Sequence, residues 1–173
     1  MGFAQNLSNL YKSIVQLKKE KDILWIFIGD GSEKEKFKNK LVKSYSMKNV
    51  LFFNHMKAEE IDYFYKISNA FLIPLSPGVA FNKVLPAKLH ASISYGKPIL
   101  TLSDGELSNF VKYYKIGLVA KSNEYKILVQ NILKLRTYGE AELRKIKTRS
   151  RFIVHNIFDR NRIIHLIKNV CFD

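Results

Sequence analysis

Residues 23–32 read Ile23-Leu24-Trp25-Ile26-Phe27-Ile28-Gly29-Asp30-Gly31-Ser32, six apolar side chains in a row and then a glycine-flanked turn. An apolar run without alternation is the pattern of a strand covered on both faces, the habit of parallel sheets. Gly29-Asp30-Gly31 makes the turn, and Ser32 carries a hydroxyl suited to a helix N-cap. The charged stretch beyond it repeats apolar residues at Phe37, Leu41 and Val42. The segment predicts a strand, a tight turn and a helix, in that order.

The same alternation extends in both directions. Leu7, Leu10, Ile14, Val15 and Leu17 recur at helical spacing before the segment. After it come a strand over Val50–Phe53, a helix over Ala58–Ile67, a strand over Ala70–Pro74 and an irregular loop through Pro77 and Gly78. A helix then opens at Pro86 and closes at Gly96, with a strand over Pro98–Leu102, a helix over Leu107–Tyr113 and a strand over Gly117–Ala120. The remainder reads as helical near 123–136, 140–154 and 160–170. Strands separated by single helices run parallel when every crossover is right-handed, so the fold class is α/β, an open parallel sheet with helices on both faces and a helical tail. At 173 residues this is one domain, 1–173. Its opening stretch, MGFAQNL, reads as a strand-to-helix turn without its strand. If that first strand belongs in the middle, the sheet has a gap that a partner or a swapped segment fills.

Composition narrows the function. The chain is 47% hydrophobic and 25% charged, which is globular, but its formal net charge is +14. Lysine supplies most of that charge, spread from Lys12 to Lys168, without the arginine clusters interleaved with aromatics that mark nucleic-acid grooves. No nucleic-acid partner is expected. One cysteine, Cys171, excludes an internal disulfide and a cysteine metal site within one chain. The four histidines have no metal-ligand spacing, and no apolar run approaches the ~20 residues of a membrane span. A cytoplasmic location is expected, with a basic face able to rest on anionic lipid.

In open α/β sheets ligands lie beyond the carboxyl ends of the strands. That rule selects the turn at Gly2, the turn Gly29–Gly31, the loop Asn54–Met56 with His55, the loop 75–85 and the turn Ser103–Glu106. The helix beginning at Pro86 adds a positive end: Ala87, Lys88 and Leu89 leave amides free in its first turn, beside the ammonium groups of Lys83 and Lys88. Such a terminus favours a phosphate or pyrophosphate. Gly96-Lys97-Pro98 reads as a left-handed C-cap and an entry into the next strand. Fingerprints of dinucleotide binding, of a Walker phosphate loop and of a nucleophile elbow are all missing.

Three stretches, IFIGDGSEKEKF, VLFFNHMKAEEIDYFYKISNAFLIPL and VLPAKLHASISYGKPILTLSDGE, resemble in order and spacing the C-terminal half of GT-B glycosyltransferases of family 4. The likeness is strongest to bacterial enzymes that build lipopolysaccharide, capsule or O-antigen sugars. It implies a Rossmann-like domain binding a nucleoside-diphosphate sugar, an N-terminal acceptor-binding domain or partner subunit, retention of anomeric configuration, and no cofactor or obligatory metal. It further implies donor-binding positions at Gly2, Gly29, His55, Met56, Val84, Leu85, Lys88 and Ala91, with the base against His55-Met56. Family members carry two glutamates eight positions apart where this chain has Lys83, at the position expected to be catalytic, and Ala91. Alanine accepts no hydrogen bond, so ribose recognition is expected from the backbone, from Ser92, or not at all. A lysine usual in the opening turn of the first helix is replaced at Gln5-Asn6. The alternative is a non-catalytic α/β subunit that binds a nucleotide or supports a partner.

Overall fold

A computed structural model describes residues 1–159 and Ile164. Strand β1 (Trp25–Ile28) pairs in parallel with β2 (Val50–Phe53), Trp25 opposite Val50 and Ile28 opposite Phe53. Strand β3 (Phe71–Pro74) pairs in parallel with β4 (Ile99–Leu102), and β4 with β5 (Gly117–Ala120). The helices are α1 (Leu7–Gln16), α2 (Lys34–Asn39), α3 (Ala58–Ile67), α4 (Val79–Asn82), α5 (Ala87–Ser94), α6 (Glu106–Tyr114), α7 (Tyr125–Leu135) and α8 (Glu140–Asn156). The fold is α/β, with parallel sheets flanked by helices, as the alternation of apolar runs and helical patterns predicts. The helix expected near 160–170 lies outside the described residues.

Two apolar layers hold the fold. Leu10, Ile14 and Leu17 from the α1 side, Phe37 and Leu41 from the α2 side, and Leu128 and Ile132 of α7 pack with Trp25, Val50, Leu100 and Leu102 from the strands. On the opposite face Leu89 and Ile93 of α5, Leu107 and Val111 of α6, and Ile146 and Ile153 of α8 close over Ile73 and Ile99. All four residues of β4 are buried, as an apolar run with a strand on each edge must be. Strand β1 is different. Trp25 is buried, but Ile26, Phe27 and Ile28 are only half-buried, because a neighbouring strand covers one edge alone. The expected burial on both faces is corrected accordingly.

The strands form two separate sheets, β1-β2 and β3-β4-β5. Between β1 and β3 lies a slot of about 1530 Å³, lined by all four residues of each strand. The doubly wound order places one more strand in that position, so the gap anticipated from MGFAQNL is present in the sheet.

Local differences have simple causes. Ser32 does not cap α2, which starts at Lys34 after Glu33, and the Lys34 amide that a Ser32 cap would engage donates instead to the Gly31 carbonyl at 3.1 Å. Val42 is exposed, since the helix widens into a π turn over Lys40–Ser44 and turns that side chain outward. The loop 75–85 contains the short helix α4. Gly96 does take the left-handed C-cap, with φ of 64°, and a Cβ there would come within 2.9 Å of Lys147 Cγ. Glycine at this position both ends α5 and lets α8 lie against it.

Candidate functional site

Every strand ends at the same rim, and hydrogen bonds tie the loops of that rim together. Asp30, after β1, accepts from the His55 amide at 2.8 Å and from Lys34 Nζ at 2.8 Å. Lys34 also donates to Asn54 Oδ1 at 2.6 Å and to the Phe53 carbonyl at 3.0 Å. The buried ammonium has three acceptors for its three protons, so this lysine latches the β2 loop to the β1 turn and is spent on that task. Asp30's carboxyl is held below its ordinary value of 3.8, first by the Lys34 hydrogen bond and then by the His55 amide. A depressed carboxylate supports the latch above pH 3.8, and the support is lost as pH falls through the lowered value. Asp30→Asn is expected to speed amide hydrogen exchange at His55 several-fold while leaving Ile93 unchanged, measured by NMR.

The opening turn joins the other half. The Ala4 carbonyl accepts from the Ser76 amide at 2.9 Å, and the Phe3 carbonyl from Ser76 Oγ at 2.5 Å, after β3. Asn6 is buried, its amide receiving no proton but donating to Ser76 Oγ at 3.1 Å and its Nδ2 donating to the Ser122 carbonyl at 2.7 Å, after β5. Ser122 Oγ in turn donates to Asp104 after β4, at 2.5 Å. Asn6 takes a left-handed conformation, φ 42° and ψ 41°, and rivets the opening turn to the loops after β3 and β5. Gly105, at φ 69°, packs on Asn82 so closely that a Cβ would come within 2.6 Å of its Cα. That contact seats the end of α4, and with it Lys83, against the β4–α6 turn.

Helix α5 opens onto the same rim. Pro86 is its N-cap, φ −69° and ψ 146°, one position earlier than a first-turn proline. The Leu89 amide donates to the Pro86 carbonyl at 2.8 Å, which corrects its expected freedom. Ala87 and Lys88 remain as amides without a backbone acceptor among the described residues. Lys88 has an exposed side chain but stands with Met1 at the concave mouth of the slot, surrounded by protein. That desolvation lowers its ammonium from the ordinary 10.5. An anion at this point relieves the cost.

The predicted residues are placed as follows. Gly2 and Gly29 both border open space, where an added Cβ meets nothing within 4 Å. His55 is exposed and Met56 half-buried on the latched loop, Lys83 and Val84 are exposed, and Leu85 packs toward the α5 core. Ala91 is half-buried one turn along α5 from Lys88, whereas Ser92 is buried and lines the slot beneath the rim. Missed from sequence were the Asp30–Lys34 latch, whose only signal was an acid four residues before a base, and the Asn6–Ser76–Ser122–Asp104 chain, which joins residues too distant in sequence to be read together. Among the described residues no group of three or more histidine, cysteine or acidic side chains is placed to hold a metal. No helix of the described residues is long and apolar enough to cross a membrane.

Parallel sheets flanked by helices on both faces define a Rossmann-like α/β domain of the GT-B class. The chain belongs to the family described as glycosyl transferases group 1, whose model matches residues 2–152. Among solved structures it is similar to a glycosyltransferase from Rickettsia africae ESF-5, at 18% identity and a TM-score of 0.77, over 96% of this chain and 44% of that one. It is similar to a sucrose-phosphate synthase from Thermosynechococcus elongatus at 17% identity and a TM-score of 0.74, over 96% and 41%. The C-terminal domain of a glycosyl transferase group 1 family protein, LpcC, from Francisella tularensis matches at 12% identity and a TM-score of 0.72, over 92% and 84%. The chain thus spans less than half the length of the first two structures and most of the third. Among curated proteins none matches.

Proposed function

We infer that this chain is the donor-binding half of a retaining sugar transferase, 1–173 forming one nucleotide-sugar-binding domain whose partner half holds a glycan or lipid-linked acceptor of cell-surface polysaccharide. The observation that carries the reading is the meeting of Lys88 and the free α5 amides with the bridged strand-end loops. Departure of a nucleoside diphosphate builds negative charge on its outer phosphate. Fixed amides and a desolvated ammonium stabilise that charge without a divalent cation. In this arrangement the diphosphate lies over Ala87 and Lys88 near Gly2 and Gly29, the base against His55 and Met56, and the sugar toward Lys83, Val84 and Leu85. With Ala91 in the ribose position and Ser92 buried, backbone groups carry ribose recognition.

Lys83 suits an acidic sugar or an added phosphate contact. That same residue, with Ala91, supports the second reading, a nucleotide-binding or partner subunit without catalysis. A thermal-shift screen against uridine and guanosine diphosphate sugars separates the two. The donor-binding reading expects a rise of several degrees with one nucleotide sugar at a hundredfold excess over its Kd. An unmoved transition with every sugar leaves only the second reading. Residues 1–173 by themselves are expected to transfer no sugar, because in this reading the acceptor is held by the other half of the enzyme, and turnover onto a lipid-linked acceptor by these residues alone would contradict this.

A further inference from the structure

The positive charge of the chain gathers unevenly once it is folded. Helix α8 keeps its acids in the first turn, where Glu140 pairs with Arg144 and Glu142 accepts from the Gly139 amide at 3.1 Å. From Leu143 to Asn156 it has no acidic residue, while Arg144, Lys145, Lys147, Arg149 and Arg151 follow one another. Ile146, Ser150 and Ile153 face inward, so Lys145, Thr148, Arg149 and Phe152 line one flank of the helix at spacings of three and four. Arg149 fixes that flank against the end of α6, donating from Nη1 to the Lys115 carbonyl at 3.0 Å. Lys115 and Lys145 have no ion pair among the described residues.

Two large aromatic side chains stand out of this basic face, Tyr113 at 78% exposure and Phe152 at 55%. Their neighbours are packed: Tyr114 lies against Phe110 with ring centroids 4.6 Å apart, and Phe110 stacks on Phe158 at 5.8 Å, closing the seam between α6 and the end of α8. The cavity on this flank, about 650 Å³, is lined by α8 residues alone, so it has no second wall to grip a peptide. A flat partner suits such a surface better than a strand or a helix. An anionic bilayer matches both of its chemistries, because headgroup phosphates meet the cations and the interfacial layer takes amphipathic and aromatic rings. Lys115 directly precedes Ile116 and β5, at the amino ends of the strands, so the face lies opposite the donor rim and contributes no residue to the slot.

We propose that this flank of α6 and α8 docks on an anionic lipid bilayer, with Lys115, Lys145 and Arg149 against headgroup phosphates and Tyr113 and Phe152 in the interfacial layer. The donor rim then stays clear of the lipid. This inference does not rest on the donor-binding reading, and its test uses no nucleotide.

Flotation of the full chain with vesicles of phosphatidylcholine, with and without phosphatidylglycerol, measures the docking. Binding to the mixed vesicles is expected to be at least about tenfold tighter than to phosphatidylcholine alone and to fall steeply with added salt. Lys115→Glu together with Lys145→Glu is expected to weaken it at least about tenfold. The same change of charge on the exposed side of α2, Lys36→Glu with Lys38→Glu, is expected to leave binding within about threefold. Tyr113→Ser with Phe152→Ser keeps the net charge and is expected to cost about tenfold, the loss of two rings from the interface. All three pairs alter exposed side chains and are expected to melt with the parent chain. An equal loss from the α2 pair would reduce the effect to unoriented charge attraction and overturn the proposal. Undiminished binding by the serine pair would also overturn it, pointing to an acidic protein as the occupant of the face, and so would failure to float with the mixed vesicles.

Discussion

Lys88→Ala is expected to weaken nucleoside-diphosphate binding by about 10- to 100-fold, the loss of one or two charge-assisted hydrogen bonds at about 1.5–3 kcal/mol. The fold is expected to survive the change unharmed. Desolvation by the protein around the mouth of the slot makes the Lys88 ammonium costly in the free chain, so truncation removes a penalty along with a ligand contact. The pH dependence follows with opposite signs for stability and binding. A lysine whose folded pKa lies below 10.5 binds fewer protons in the native than in the unfolded chain. Stability of the free protein therefore rises as pH climbs through that lowered value. Donor affinity falls across the same window, because the phosphate needs the proton present. Calorimetric titration of a nucleoside diphosphate at neutral and alkaline pH, with and without Lys88→Ala, measures both effects. Undiminished affinity in the variant would remove Lys88 from the site.

The second large effect concerns the fold. Gly117 begins β5 opposite Ile99, and a Cβ there would overlap the Ile99 carbonyl oxygen and lie 2.6 Å from its carbon. Ile99 belongs to the wholly buried strand β4, between neighbours on both sides, and is unable to retreat. Gly117→Ala is expected to cost about 3 kcal/mol by overpacking against backbone. For a chain of this size that lowers the melting temperature by roughly 10 °C. Calorimetric melting checks it, and a shift under a degree would show that the β4–β5 contact is looser than the geometry states.

Much of the fold was legible in the sequence because its signals are local. ILWIFIG, FLIP and ILTL are apolar runs too short for helices and are bounded by turns, while Leu10, Ile14 and Leu17 mark a helix by spacing alone. The glycine at 96 announced its own left-handed cap. Local signals did not reach the degree of burial of β1, which depends on what stands beside it across the sheet. They also missed the end of the α5 amide row, where a tight turn engages Leu89.

The candidate site divides the same way. Its loops were selected by the rule that strand carboxyl ends gather, and they do gather. How they are fastened was not legible: Lys34 looked like one of many surface lysines, and only the fold shows that it is buried among Asp30, Asn54 and the Phe53 carbonyl. The burial of Ser92 was likewise not legible, because it depends on what packs against α5. Charge pattern alone gives no sign of which lysines are spent inside and which remain for a ligand.

The claim that everything functional depends on is that the rim binds a diphosphate at the first turn of α5. Amide chemical-shift mapping of the chain during titration with a nucleoside diphosphate tests this residue by residue. Saturable shifts concentrated at Gly2, Gly29, His55, Ala87 and Lys88 are the predicted result. Shifts confined to the lysines and arginines of α8, or none at millimolar ligand, would contradict it.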